Sequence, residues 1–201
     1  MKWFLAALGA LVVALLLLAV FTGSTYNSLV RLDQAVQAQW GQVENVYQRR
    51  ADLVPNLVET VKGAAALERE TFTQVAQARS QVAQISPQAL ENATRDPAAF
   101  QRFQQAQDAL SSALTRLLAV SERYPELKAT QNFRDLQAQL EGTENRITVE
   151  RMRFNEAAQA FNTRRNSFPA VLVATFFGSR FSDKPYFQAR PGAETPPAVR
   201  F

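Results

Sequence analysis

The sequence predicts an all-α protein: an N-terminal transmembrane helix, an antiparallel four-helix bundle and an irregular aromatic C-terminal tail. Three observations lead there. Nineteen of the first 21 residues are apolar. From residue 26 to residue 161 the apolar side chains recur in alternating steps of three and four, the period of a bundle seam. No strand-type alternation competes with that period before the tail.

The first element runs from Trp3 to Phe21, 19 residues without a charge and with one glycine, Gly9. As a helix it measures ~28 Å, close to the ~30 Å hydrocarbon core of a bilayer. A cleavable signal carries a shorter apolar region, roughly 7–15 residues, closed by an A-x-A-like site. Only Thr22-Gly23-Ser24 offers small residues here, so an uncleaved anchor is expected, with the lipid bilayer as its partner through residues 3–21. No face of the segment is polar, which argues against a buried core helix. Lys2 is the only charged side chain before Arg31. The positive-inside rule then puts the N-terminus in the cytoplasm and the bulk outside. No later stretch is long enough to span, so a single-pass protein of the inner (cytoplasmic) membrane is expected.

The second element steps through Leu29, Leu32, Val36, Trp40, Val43 and Tyr47. Asp52-Leu53-Val54-Pro55 interrupts it: Asp52 can cap a new helix and Pro55 cannot donate to an ongoing one, so the chain turns or kinks. If it only kinks, the same seam serves a longer, three-helix arrangement. The seam resumes as Leu57, Val61, Ala65, Phe72, Val75 and Val82, with Glu68 and Arg79 at two of its positions. Ser86-Pro87 and Asp96-Pro97 each read as an N-cap followed by proline at the first helical position. A third helix carries Phe100, Phe103, Gln107, Leu110, Leu114, Leu117, Ser121 and Tyr124, and Pro125 punctuates it. The last runs through Phe133, Leu136, Leu140, Thr143, Ile147, Glu150, Phe154, Ala157 and Phe161, with Pro169 as its stop. Segments of this length with short connections pack near-antiparallel as a four-helix bundle.

The tail holds seven aromatic residues and five prolines between Phe168 and Phe201. It is too apolar for a free linker, and it is expected along the bundle or at the membrane interface, where aromatic rings are favoured. The expected organisation is an anchor over residues 1–23, a bundle over 24–168 and a tail over 169–201.

Composition narrows the chemistry. The chain has no cysteine and no histidine, which removes thiolate and imidazole nucleophiles and bases and the usual zinc, haem and di-iron ligand sets. Net charge is +4 with both signs interleaved, and doublets such as Arg49-Arg50 and Arg164-Arg165 make no nucleic-acid motif. No catalytic, cofactor-binding or metal-binding residues are predicted, and no nucleic acid is expected as partner. Glu141, Glu144 and Glu150 could be paired carboxylates, but a hydrolase needs two across a cleft and nothing in the sequence places one; Thr143 and Glu150, the polar positions on the seam, are better read as fixing its register. Lys62-Gly63 lacks the glycine-rich loop of a phosphate site. Asn145, Asn155 and Asn162 recur on the last helix, where buried amides could hydrogen-bond between helices. The candidate partner contacts are Arg49, Arg50 and Asp52, together with the tail aromatics Phe176, Phe177 and Phe181. The competing account of the first three is helix capping and an intramolecular Arg pair to Glu122, Glu141 or Glu144.

Particular words then stand out: Tyr26-Asn27-Ser28-Leu29-Val30, Trp40, Gln48-Arg49-Arg50-Ala51-Asp52-Leu53-Val54-Pro55-Asn56-Leu57-Val58 and Thr60-Val61-Lys62-Gly63. Later come Ser121-Glu122-Arg123-Tyr124-Pro125-Glu126-Leu127-Lys128, Leu140-Glu141-Gly142-Thr143-Glu144-Asn145-Arg146-Ile147, Arg153-Phe154-Asn155, Phe161-Asn162, Phe168-Pro169 and Pro197-Ala198-Val199-Arg200-Phe201. Together these resemble the LemA family of bacterial membrane proteins, over the chain from Tyr26 onward. The chain departs from the family in having Ala64 and Leu67 where relatives often carry Tyr and His, and Ser179 where an aromatic usually follows the tail glycine. The resemblance implies a membrane anchor and a bromodomain-like four-helix bundle, with no established activity, cofactor or ligand. The function expected is a non-enzymatic scaffold or adaptor of the bacterial envelope, acting by protein–protein contact on an envelope protein, with a membrane protease as one candidate class. The alternative is a ligand-binding sensor that signals through a membrane partner.

Overall fold

A computed structural model of the protein describes residues 1–64 and 68–188. The expected seam position Ala65, the divergent Leu67 and the terminal Pro197–Phe201 lie outside the described residues. Helix α1 runs unbroken from Lys2 to Ala64, about 95 Å at the α-helical rise. Its halves have opposite surroundings. Every side chain from Met1 to Phe21 is exposed, and this stretch is long and apolar enough to cross a membrane. Beyond it Leu29, Val36, Trp40, Val43 and Tyr47 are buried, as the three-four steps require.

Of the two outcomes open at Asp52–Pro55, the turn is excluded: α1 runs on through Pro55, so the seams on either side of it belong to one longer helix. A proline in a helix interior costs about 3 kcal/mol, yet Val54, Leu57 and Val61 around it are all buried, and that burial outweighs the loss at roughly 1.5–3 kcal/mol per side chain. Asp52 caps nothing, and its Oδ1 accepts from Gln48 Nε2 one turn back at 2.8 Å.

Two of the remaining starts follow the proline rule. Ser86 Oγ accepts from Ala89 N ahead of α3 (Pro87–Asn92), and Asp96 Oδ1 accepts from Ala98 N ahead of α4 (Pro97–Ser121). Between α1 and α3 lies α2 (Arg69–Ala83). Pro125 opens the short α5 (Pro125–Lys128), and Thr130 caps α6 (Gln131–Asn166) through Phe133 N. After α6 come α7 (Ala170–Phe176) and a 3₁₀ turn over Gly178–Phe181. Gly178 takes φ +54 between them, a left-handed conformation that glycine adopts without steric cost. Residues 182–188 are extended, and no strand occurs among the described residues.

Helix α6 lies antiparallel to α1, since Gln39 meets Glu150 and Arg50 meets Glu144. Helix α2 lies antiparallel to α4, where Gln74 meets Arg116 and Glu68 meets Arg123. The side chains between these helices form two apolar cores. The one nearer the anchor gathers Leu29, Val36, Trp40, Phe100, Phe154 and Phe161 with Phe181 and Phe187 of the tail. The distal one gathers Val54, Leu57, Val61, Val75, Leu110, Leu114, Leu117, Phe133 and Leu140.

Candidate functional site

Where the two cores meet, the seams turn polar. Arg50 of α1, Gln107 of α4 and Thr143 of α6 are all buried there. Arg50 is only 1 % exposed; its Nη1 donates to Glu144 Oε1 at 2.9 Å, and its Nη2 donates to the Gln107 carbonyl at 3.0 Å and to Gln107 Oε1 at 2.5 Å. The guanidinium also lies 5.0 Å from the Tyr47 ring centroid, a cation–π distance. Nε is left without a partner. Arg50 is therefore a structural crosslink of three helices, paired to one of the glutamates that sequence reasoning offered it.

Its neighbours on α1 differ. Arg49 and Asp52 are exposed. Asp52 is on the rim of a cleft of about 500 Å³ between α1, α2, α3 and α4 that Glu44, Tyr47, Arg79, Ile85 and Phe103 also line. Partial burial pushes the Glu44 carboxyl up, against a smaller downward pull from Trp40, and burial pushes the Tyr47 phenol up. The Trp40 indole N–H, one turn from Glu44, is buried without a well-formed hydrogen bond.

The three glutamates considered as a catalytic set go to separate duties. Glu144 holds Arg50, Glu150 accepts from Gln39 and Arg153, and Glu141 accepts from Gln137. Glu141 and Glu144 share a groove between α4 and α6 whose opposite wall is Ser111, Leu114, Thr115 and Leu118, with no carboxylate facing them.

Two of the three recurring asparagines hold the tail. Asn162 Oδ1 accepts from Lys184 N at 2.8 Å while its Nδ2 donates to the Lys184 carbonyl at 2.9 Å. Asn155, seven residues earlier, does the same for Phe187: Oδ1 from the amide at 2.9 Å, Nδ2 to the carbonyl at 3.0 Å. Seven residues are two helical turns, so both amides lie on one face of α6 and grip an extended strip laid along it. Asn145 takes no part and lines the groove beside Glu144. The expected interhelical amide bonds are thus helix-to-tail bonds. The strip also sends Lys184 Nζ to Asp33 of α1 at 2.5 Å, with both side chains buried, and inserts Phe187 among Trp40, Phe100 and Phe154. Lys184 carried no pattern in the sequence; its only cue was a charge inside an aromatic, proline-rich stretch.

The tail aromatics divide. Phe181 is buried against Tyr26 and Phe161, so it is core. Phe176 and Phe177 are exposed at the end of the body nearest the apolar stretch of α1, Phe177 resting 4.8 Å from the Tyr26 ring. Among the described residues no three acidic side chains gather as a metal site would require.

Comparison with known proteins adds a lineage. A model of the LemA family matches residues 39–201. Magnetosome protein MamQ 2 and magnetosome protein MamQ 1 of Paramagnetospirillum magneticum are each 28 % identical over 185 residues, covering 85 % of this chain and 67 % of the relative. Magnetosome protein MamQ of Magnetospirillum gryphiswaldense is 27 % identical over the same span and coverage.

Proposed function

This chain belongs to the LemA family, and from that premise we propose that it is a non-enzymatic single-pass scaffold or adaptor, working by protein–protein contact in the bacterial envelope. The observation that carries the reading is the continuity of α1. One helix is both the apolar span and the spine of the helical body, so the body is held at a set height and orientation relative to the bilayer, as a presenting platform would be. The exposed Arg49 and Asp52 on that spine are the proposed contact for an envelope protein. The body lies on the extracytoplasmic side of the cytoplasmic membrane, by the charge rule applied to Lys2.

The test is photo-crosslinking in cells from Arg49 and from Asp52, followed by mass spectrometry. A discrete envelope protein captured from both positions, and not from the far side of α6, is expected. Capture of lipid alone or of nothing from either position defeats the adaptor reading. A reporter at Phe201 tests orientation: activity of a periplasmic-type reporter is expected, and activity of a cytoplasmic-type one reverses the assignment.

The cleft beside Tyr47 and Arg79 supports a second reading, a ligand-binding sensor working through a membrane partner. A melting shift with a small molecule, abolished by Arg79→Ala, is the result that would favour it.

A further inference from the structure

We propose that α7 is a second membrane contact: it lies in the headgroup layer where α1 leaves the bilayer, with Phe168, Leu172 and Phe176 dipped into lipid. The proposal rests on α1 spanning the membrane. Helix α7 is apolar on both sides. Ala170, Val173 and Ala174 are buried against the body, while Phe168, Leu172 and Phe176 are 81 %, 63 % and 84 % exposed. Spacing of four places Leu172 and Phe176 on one face of α7, and Phe168 is exposed in the turn that leads into it. A helix apolar all round is a helix with cover on both sides, and the described body covers one.

The height of α7 identifies the other cover. Phe177 packs tilted and Phe181 edge-on against Tyr26, with ring centroids at 4.8 and 5.4 Å, fixing the end of α7 beside that residue of α1. Tyr26 is five residues past Phe21, the end of the apolar span, which is about 7.5 Å of helix. The headgroup layer is itself roughly 5–7 Å thick on each side of the hydrocarbon. The stripe thus continues the exposed apolar surface of the span, at the depth where aromatic and aliphatic side chains of surface-lying helices settle. Arg180, four residues beyond α7, is exposed, a charge suited to lipid phosphate. The extended tail leads away from this end, from Asn162 towards Arg151.

The chain has no cysteine, so single labels are clean. Spin labels are placed at Leu172→Cys, Phe176→Cys, Leu15→Cys and Glu126→Cys of the full chain, reconstituted in phosphatidylethanolamine–phosphatidylglycerol vesicles. Power saturation then compares oxygen with a water-soluble nickel complex. Expected is an oxygen-to-nickel ratio at 172 and 176 several-fold above that at 126, and below that at 15. Water-like labels at 172 and 176 with a lipid-buried label at 15 overturn the α7 contact and leave the span intact. A water-like label at 15 overturns both. Spin–spin broadening at 176 with water-like accessibility assigns the stripe to a second copy of the chain, which also overturns the lipid contact.

Discussion

Lys184 reaches across 151 residues of sequence to Asp33, its Nζ 2.5 Å from Oδ1, and neither side chain is open to solvent. Arg95 adds a weaker approach to the other carboxylate oxygen at 3.4 Å. This pair ties the tail to the spine next to the anchor. Removing one partner strands a buried charge, at about 3–5 kcal/mol. Asp33→Ala is therefore expected to lower the urea midpoint of the detergent-solubilised protein steeply. Asp33→Leu combined with Lys184→Met should recover most of that loss; no recovery would show that the charges themselves, not their compensation, hold the tail.

The same lysine gives a pH signature. Burial pushes its ammonium below the ordinary lysine range, against the pull of Asp33. The unfolded chain then keeps the proton to higher pH than the folded one, so this group adds stability as pH rises towards about 10.4. Tyr47 works oppositely, because its phenol is pushed up and its contribution is lost as pH climbs past the ordinary tyrosine range. Comparing the protein with Lys184→Met between neutral pH and about pH 10 separates them. The rising component should vanish in the variant. An unchanged slope would refute the assignment.

Arg50→Ala should be the more damaging of the exposed-versus-buried doublet, costing about 1–3 kcal/mol because the buried Gln107 loses its donor, while Glu144 is partly open to water. Arg49→Ala, on an exposed side chain, should stay within about 0.5 kcal/mol. Arg50→Lys should recover only part, because one ammonium cannot reproduce two separated guanidinium donors. Equal midpoints for the two alanine variants would remove Arg50 from its crosslinking role.

Asn155→Ala and Asn162→Ala each delete a reciprocal pair of hydrogen bonds, about 1–3 kcal/mol where the tail amide and carbonyl are left buried. Hydrogen exchange at the Phe187 and Lys184 amides reads the effect directly. Each should lose protection in its own variant before the rest of the body does. Protection that persists in both would mean that Phe187 packing alone fixes the tail.

Phe187→Ala opens a hole beside Trp40, Phe100 and Phe154, worth about 3–5 kcal/mol. Trp40 emission should shift to the red as water reaches the ring. An unshifted spectrum with unchanged stability would place Phe187 outside the core.

The helices were legible because burial repeats with the helical period. Nearly every residue named on the α1, α4 and α6 seams is buried or half-buried, and the Ser86 and Asp96 caps followed from local chemistry. Pro55 left a turn and a continued helix both open for a physical reason: its penalty is local, whereas the burial of Val54, Leu57 and Val61 that decides for continuation depends on α2, α4 and α6. The tail grip could not be read in advance. Asn155 and Asn162 stood out by spacing, but their partners are backbone groups of Phe187 and Lys184, which carry no side-chain signature. Arg50 and Arg49 look alike in sequence, and only the 100° turn between successive helical residues sends one inward and the other out.

Because the apolar stretch and the spine are one helix, a chain anchored by that stretch would be a lever with its fulcrum in the bilayer. From Thr22 to Ala64 the arm is about 63 Å long. A 20° tilt, the average for transmembrane helices, swings its tip sideways by about 20 Å. Turning the span about its axis turns every face of the body by the same angle. In such a chain, changes in bilayer thickness, or a neighbour leaning on the apolar stretch, would be converted into displacement and rotation of the body.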